Sequence, residues 1–339
     1  MPTACYYNLL GAGKLVLQRE ELPASRDDQL FCETLSTAIS PGTELAAYNG
    51  LAPLRPTENI YPRLLGYMNV ARVVDAGKEL AEQYPKGTVV YTHQSHRSHF
   101  LISRRDVLSV LPSDLNPDLA TIAYLYRLGW NGWRRTQARE GDKVGVVGLG
   151  AIGLASLQLA KYLGFVPVGF SNHDAARYVA DRCGCSAMSK RRATEMYLDK
   201  PAASDLMNAV LLTSNAWDDW TLSMAMCRFN AAVGVLGFPG RGEPIPNINP
   251  LDSKYFYDKQ LTVAAAGFAP GSVGIGQEEP EQLKTDIATI LDAMKSNDLE
   301  PSLLLASVEP AKELEQIYEE MNANRRGAGT VVLDWSGFD

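Results

Sequence analysis

Cysteine is scarce in this chain: five residues in 339, at Cys5, Cys32, Cys183, Cys185 and Cys227. They are too few and too scattered for a disulfide framework, and they fit a reducing cytoplasm in which cysteine serves as a small buried hydrophobe. No uninterrupted apolar stretch approaches the ~20 residues that span a bilayer, so no membrane role is expected. The opening Met1-Pro-Thr-Ala-Cys-Tyr-Tyr has no basic segment followed by an apolar one, so no signal peptide is expected either. Positive charge is not in excess: 32 Lys and Arg against 39 Asp and Glu leave a net charge of −7. With no basic stripe to neutralise phosphates, a nucleic-acid partner is excluded. No internal repeat or low-complexity tract is present. What remains is an ordinary soluble composition, 46% hydrophobic and 21% charged, ample for sizeable cores at a length that suits about two domains.

The most informative stretch is Lys143-Val-Gly-Val-Val-Gly-Leu-Gly-Ala-Ile-Gly153. A β-branched apolar run, Val144 to Val147, reads as a buried parallel strand. It turns through Gly148, Gly150 and Gly153 into an apolar-periodic helix, the G-x-G-x-x-G dinucleotide fingerprint in its strand–turn–helix setting. Gly148 permits the turn, Gly150 lets the backbone approach a pyrophosphate, and Gly153 lets the helix pack close to the strand. Leu149, Ala151 and Ile152 complete the loop, whose N–H groups face the phosphates at the positive end of the helix. The second strand, Phe165 to Phe170, ends at the residue expected to meet the adenosine ribose. NAD enzymes carry Asp or Glu there; this chain has Ser171, then Asn172, with Arg177 one turn into the following helix. Those side chains suit a 2′-phosphate, which a carboxylate would repel, so NADPH is the expected cofactor. Asp174 falls in the first turn of that helix, where an acid is expected on helix-dipole grounds alone.

Texture changes along the chain. Residues 1–120 hold short β-type runs (14–17, 29–36, 69–75, 88–92 and 99–103) punctuated by Pro, Gly and Asp. From 121 to 268 strands alternate with helices, at 168–171, 209–213, 232–237 and 260–266 beyond the fingerprint unit, the pattern of a doubly wound parallel sheet. After Gly267 come a loop, a helix over 280–297 with one apolar face, a second helix over 310–322, and a closing strand over 329–335.

Six blocks in this order give the chain a resemblance to a known family. They are Ala38-Ile-Ser-Pro-Gly-Thr-Glu44, Leu65-Gly-Tyr-Met-Asn-Val-Ala-Arg-Val-Val74, Gly148 to Gly153, Val235-Leu-Gly-Phe238, Lys259-Gln-Leu-Thr-Val263 and Gly329-Thr-Val-Val-Leu333. The chain resembles the medium-chain dehydrogenase/reductases, the alcohol dehydrogenase-like superfamily, over essentially its full length. The resemblance implies an α/β protein: a GroES-like β domain, residues 1–120 and 269–339, interrupted by a Rossmann nucleotide-binding domain, 121–268, with the catalytic cleft between them. It implies that Leu212 to Asn215, with Thr213 and Ser214, and Val235 to Phe238, with Leu236 and Gly237, line the nicotinamide. It also implies a homodimer joined through the last strands of two nucleotide domains.

The departures from the family pattern bear on mechanism. Many members hold a catalytic zinc, yet the three ligand positions here fall on Pro41, Tyr67 and about Arg127, which cannot make the N/S site zinc prefers. No cysteine lies between Cys32 and Cys183, so the structural-zinc lobe is missing too. No metal is expected. Donors at the vacated positions then become the catalytic candidates: Tyr67 as proton donor, Arg127 as a cation that stabilises the anion, and Thr43 at the position of the relay hydroxyl. Tyr67 reads equally as a core aromatic with a surface hydroxyl, and Arg127 as a structural partner of Glu44. His93, His96 and His99 stand three apart, a spacing that alternates faces on a strand and argues against a metal. His93 or His96 is a candidate at the substrate pocket, with Tyr124 and Trp130 as its walls; Tyr126 is a further candidate wall, and core packing explains these aromatics equally well.

Three functions are compatible with these residues. The first is a cytoplasmic, zinc-independent NADPH-dependent reductase of an activated C=C or C=O in a small organic molecule. The second is a zinc-free alcohol/ketone dehydrogenase, suggested by the Gly-Tyr-x-x-Val and Ser-Pro-Gly-Thr-Glu blocks, which resemble those of the bacteriochlorophyllide hydroxyethyl dehydrogenases; an imine reductase is a variant of either. The third is a non-catalytic NADPH-binding sensor.

Overall fold

A computed structural model describes residues 3–54, 59–199, 201–267, 280–323, 325–326 and 329–338. The chain divides into two compact units, Met1–Tyr124 with Gly276–Asp339, and Leu125–Ile275.

The first unit is built on two sheets. β1 (Thr3–Leu9) pairs antiparallel with β2 (Leu15–Glu21). A long strand, β3 (Gln29–Ala38), leads into α1 (Pro41–Tyr48), whose proline sits at the first turn, where its missing N–H costs nothing. The two-residue β4 (Arg63–Leu64) returns to β1. Then follow β5 (Asn69–Ala76), β6 (Val89–Thr92), β7 (His99–Ser103), β8 (Val107–Val110) and the single turn α2 (Pro117–Ala120). β3 pairs antiparallel with both β5 and β7. Its buried residues alternate until Leu35, after which Ser36, Thr37 and Ala38 are all buried. Polar groups entering the core there need partners, and the site described below supplies them for Thr37.

α3 (Ala123–Thr136) opens the second unit. β9 (Lys143–Val147), α4 (Ala151–Tyr162), β10 (Val166–Phe170), α5 (Asp174–Arg182), β11 (Ser186–Met188), α6 (Lys190–Tyr197), β12 (Met207–Leu212), α7 (Trp217–Ala225), β13 (Cys227–Val235) and β14 (Thr262–Ala265) follow. Every strand pairing in this sheet is parallel, in the order β11-β10-β9-β12-β13-β14. Counted within the unit that is 3-2-1-4-5-6, the doubly wound dinucleotide-binding order with its switch point between β9 and β12. The near-continuous apolar runs Val144 to Val147 and Ala209 to Leu212 are the central strands, fully or almost fully buried, as a sheet covered on both faces requires.

The chain returns to the first unit with α8 (Pro280–Lys295), β15 (Leu305–Pro310), α9 (Leu314–Asn322) and β16 (Thr330–Asp334). β16 pairs with the C-terminal end of β3 and extends the larger sheet to β15. The loop expected after Gly267 and the boundary placed at 268/269 lie outside the described residues. The expected runs correspond to strands or helices shifted by a few residues, whereas α1, β1, β4, β8, β11 and β15 had not been read as elements.

Candidate functional site

In the second unit the glycine turn has the geometry of a phosphate cradle. Gly148 adopts φ +98°, a left-handed conformation that favours glycine, and a Cβ there would press against Ser214. A Cβ on Gly153 would come within 1.9 Å of the Gly148 carbonyl oxygen, so α4 packs on the turn only without a side chain. Gly150, the N-cap of α4, is different: exposed, with nothing within 4 Å of where a Cβ would stand. Open space over the unpaired N–H groups of a twelve-residue helix fits a pyrophosphate. Thr213 donates to the Gly148 carbonyl at 2.6 Å, and the N–H groups of Leu236 and Gly237 both reach the Leu212 carbonyl at 2.9 Å. Thus 213–215 and 236–238 lie side by side at the carboxyl ends of β12 and β13, where this sheet order binds a nicotinamide. The residues present therefore fit a dinucleotide.

The adenosine end carries charge. Ser171 is buried and its N–H donates to the Met188 carbonyl at 3.1 Å, which brings the end of β10 beside the end of β11. The Arg177 guanidinium donates to the Ser171 carbonyl at 2.6 Å and pairs with Asp174, whose side chain is almost fully exposed. Pairing with so exposed a carboxylate is weak, so Arg177 is available to a stronger anion. The neighbouring loop adds residues not anticipated from the sequence: Ser189 caps α6, and Arg191 N–H donates to Asn172 Oδ1 at 3.2 Å. That gathers Lys190, Arg191 and Arg192 next to Ser171. Lys190 pairs with the buried Asp219 at 2.5 Å, and the same carboxylate accepts from Ser214. The signal was visible as Ser189-Lys-Arg-Arg192, but only the parallel pairing of β10 and β11 places it beside Ser171.

In the first unit the structure brings Tyr67, Thr43, Tyr124 and His93 together. The Tyr67 hydroxyl donates to Ser40 Oγ at 2.6 Å, and the exposed Thr43 hydroxyl is near enough to favour its ionised form. Burial pushes the Tyr67 phenol above the ordinary tyrosine range; Glu44 and Tyr124 add to the shift, while the neighbouring Ser40 and Thr43 hydroxyls oppose it. The ring packs edge-on against Tyr124, centroids 5.4 Å apart, and Tyr124 packs edge-on against His93 at 4.6 Å. His93 is exposed, and its Nδ1 lies 2.8 Å from the Tyr67 carbonyl oxygen.

Ser40 was missed because its partner, Tyr67, lies 27 residues away. It is the N-cap of α1, yet its side chain makes no capping bond; the hydroxyl goes to Tyr67 instead. Glu44, one turn later, takes over the cap by accepting from Ser40 N–H at 2.7 Å.

His96 corrects an expectation. Placed by sequence reading at a substrate pocket, it is fully buried, with Nε2 2.8 Å from Glu44 Oε2 and Nδ1 2.8 Å from Thr37 Oγ1. Tyr318 donates to the same Glu44 oxygen at 2.5 Å, and Trp335 Nε1 donates to Thr37 Oγ1 at 2.9 Å. Donors and acceptors match if the Thr37 hydroxyl donates a hydrogen bond to Nδ1 and Nε2–H donates to Glu44. His96 therefore belongs to a core network that holds α1. Within the first unit Glu44 is engaged by Ser40, His96 and Tyr318.

Arg127 is fully buried on α3, and on the same helix the Arg134 guanidinium lies 5.4 Å from the Trp130 ring. Among the described residues no three His, Cys, Asp or Glu side chains come together in a way that could hold a metal ion, and no helix is long and apolar enough to cross a membrane.

No family model matches the chain. It is similar to L-galactonate-5-dehydrogenase of Escherichia coli, 27% identical over 176 residues, which cover 44% of this chain and 50% of that protein. It is also similar to aldehyde reductase YahK of Escherichia coli, 30% identical over 134 residues, 38% of each. The matches thus span half or less of these relatives. In fold it is similar to a structure from Sinorhizobium meliloti bound to NADP and described as a zinc-binding dehydrogenase, with TM-score 0.77 at 15% identity over 98% of this chain and 100% of that one.

Proposed function

We propose that this chain, a medium-chain dehydrogenase/reductase by fold, is an NADP(H)-dependent oxidoreductase that works on a small organic substrate without zinc. The observation that carries the proposal is the second unit's rim: an open glycine turn continuous with a hydroxyl-and-guanidinium cluster at the end of β10. The pyrophosphate would lie over Gly148 to Gly153, and the 2′-phosphate against Ser171, Asn172, Arg177 and the Ser189-to-Arg192 turn. Bound there, the reduced nicotinamide supplies a hydride.

The first unit supplies the proton. Tyr67 stays protonated because burial raises its pKa; its one O–H, which points to Ser40 Oγ in the free protein, turns to an oxygen that gains charge and acts as its hydrogen-bond and proton donor. Ser40 holds the phenol, and its hydroxyl with that of the exposed Thr43 would relay a proton from solvent to the phenolate. Pro41 and Tyr67, standing where the resemblance puts zinc ligands, are the basis for the zinc-free reading. The two curated relatives are named for alcohol and aldehyde chemistry, which favours C=O over C=C reduction.

The test is a paired titration of the purified protein with NADPH and NADH, metal analysis of the same sample, and turnover of ketones, aldehydes and enones. Tight NADPH binding without zinc, with carbonyl turnover, is expected. NADH preference or stoichiometric zinc sinks the corresponding part of the reading.

A further inference from the structure

Arg63 does not fit the core it sits in. It stands in β4 with its Cα opposite Leu9, and alternation along the strand puts it on the same face as Leu65. Leu9 and Leu65 both belong to the hydrophobic cluster that Tyr48, Ile317 and Tyr318 share. Among the described residues Nε and Nη1 of Arg63 are buried with no hydrogen-bond partner. Burial also lowers the pKa of this guanidinium, and the group that offsets the burial is the Tyr61 phenol, not a carboxylate. The Tyr61 hydroxyl is already committed as donor to the Ala47 carbonyl at 2.6 Å. The contrast within the same unit is sharp. Arg97 is paired with Glu20, and Arg326 with both Glu309 and Glu320.

Leaving buried N–H donors of a cation unpaired is among the costlier arrangements in a protein interior. A methionine or leucine would fill this half-buried position without that penalty. The cost is recovered when an acceptor from outside the chain meets the guanidinium, and the planar fork of arginine matches the two oxygens of a carboxylate or phosphate. We propose that Arg63 is the anchor of an oxyanion-binding site in the first unit, which takes the carboxylate or phosphate group of an acidic organic ligand. The site stands or falls independently of the cofactor and of Tyr67, since both its motive and its test concern Arg63 alone. Because Arg63 precedes Tyr67 by only four residues, an acid bound there is held by the segment that carries the proposed donor.

The experiment uses the full chain as wild type, Arg63→Met and Arg63→Lys, and follows thermal unfolding against sodium phosphate or sodium malonate at constant ionic strength set by sodium chloride. A saturable rise in Tm with one of the two anions is expected for wild type. The responding salt tells a phosphate site from a carboxylate site. The rise is absent in Arg63→Met, which in chloride alone is at least as stable as wild type. Arg63→Lys, which keeps the charge and loses the fork, requires about tenfold more anion for the same shift. It decides the matter should Arg63→Met fail to fold. No anion-dependent rise in wild type, or a rise of equal size and midpoint in the variants, overturns the proposal: the guanidinium is then hydrated only, or the anion binds elsewhere.

Discussion

Tyr67 is the residue on which the chemistry turns, and its neighbours make it testable. Tyr67→Phe removes the proton but keeps the ring that packs on Tyr124, so kcat is expected to fall about 10²-fold or more with little change in Tm. Ser40→Ala is the finer probe. An N-cap serine normally stabilises its helix by about 1 kcal/mol, but this one spends its hydroxyl on Tyr67. Thermal stability should therefore hold while kcat drops, and a large loss of Tm with unchanged kcat would mean that Ser40 serves the helix after all. At the other end, Arg177→Ala should raise the KM for NADPH about tenfold or more, because it removes a charge-assisted contact, and leave the KM for NADH unmoved. Equal effects on both cofactors would place the 2′-phosphate elsewhere. The Ser40–Tyr67 pairing could not be read from spacing alone, since the two are 27 residues apart and meet only through the fold of the first unit.

Among the elements, β9, the glycine turn and α4 were the most legible, because their signal is local. A β-branched run, three glycines at fixed offsets and an apolar-periodic helix are consecutive in sequence, and each has one physical purpose. α1 was opaque for the opposite reason: Pro41 to Tyr48 has no clean apolar stripe, and it is held by Glu44, whose partners His96 and Tyr318 lie on distant elements. The histidine string misled in the same way, since burial of His96 depends on the meeting of β3, α1 and α9. The turn itself offers a paired prediction. Gly150→Asp places a carboxylate in open space, so the fold and Tm should persist while cofactor affinity is lost to charge repulsion. Gly153→Val forces a branched side chain onto the Gly148 carbonyl, so both Tm and affinity should fall. Should the two variants behave alike, Gly150 does not face the phosphates.

For the molecule as a whole, buried acids that must stay protonated set its alkaline limit. Burial pushes Tyr7 and Cys32 in the first unit up to about 12, and raises Tyr91 and Tyr318 well above the ordinary tyrosine value. In the second unit Tyr197 and Cys227 are raised to about 12 by the same cause. An acid whose folded pKa lies above its unfolded value costs nothing while both states hold the proton. Above the unfolded value the unfolded chain ionises first, binds fewer protons, and stability falls with rising pH. Each such group then contributes a slope of about 1.4 kcal/mol per pH unit, and the contributions accumulate from the ordinary thiol range through the tyrosine range. Lys259, lowered by burial, works against the trend until its unfolded value is passed, but it is one group against the six named and against Tyr48, Tyr67 and Cys185, which are raised as well. Urea unfolding followed from neutral pH into the alkaline range should therefore show a plateau and then a steep decline that begins near the ordinary cysteine and tyrosine values. Because both units carry raised groups, probes placed in either should report the decline. A flat alkaline profile would mean that these side chains are hydrated in the native state rather than buried as the fold requires.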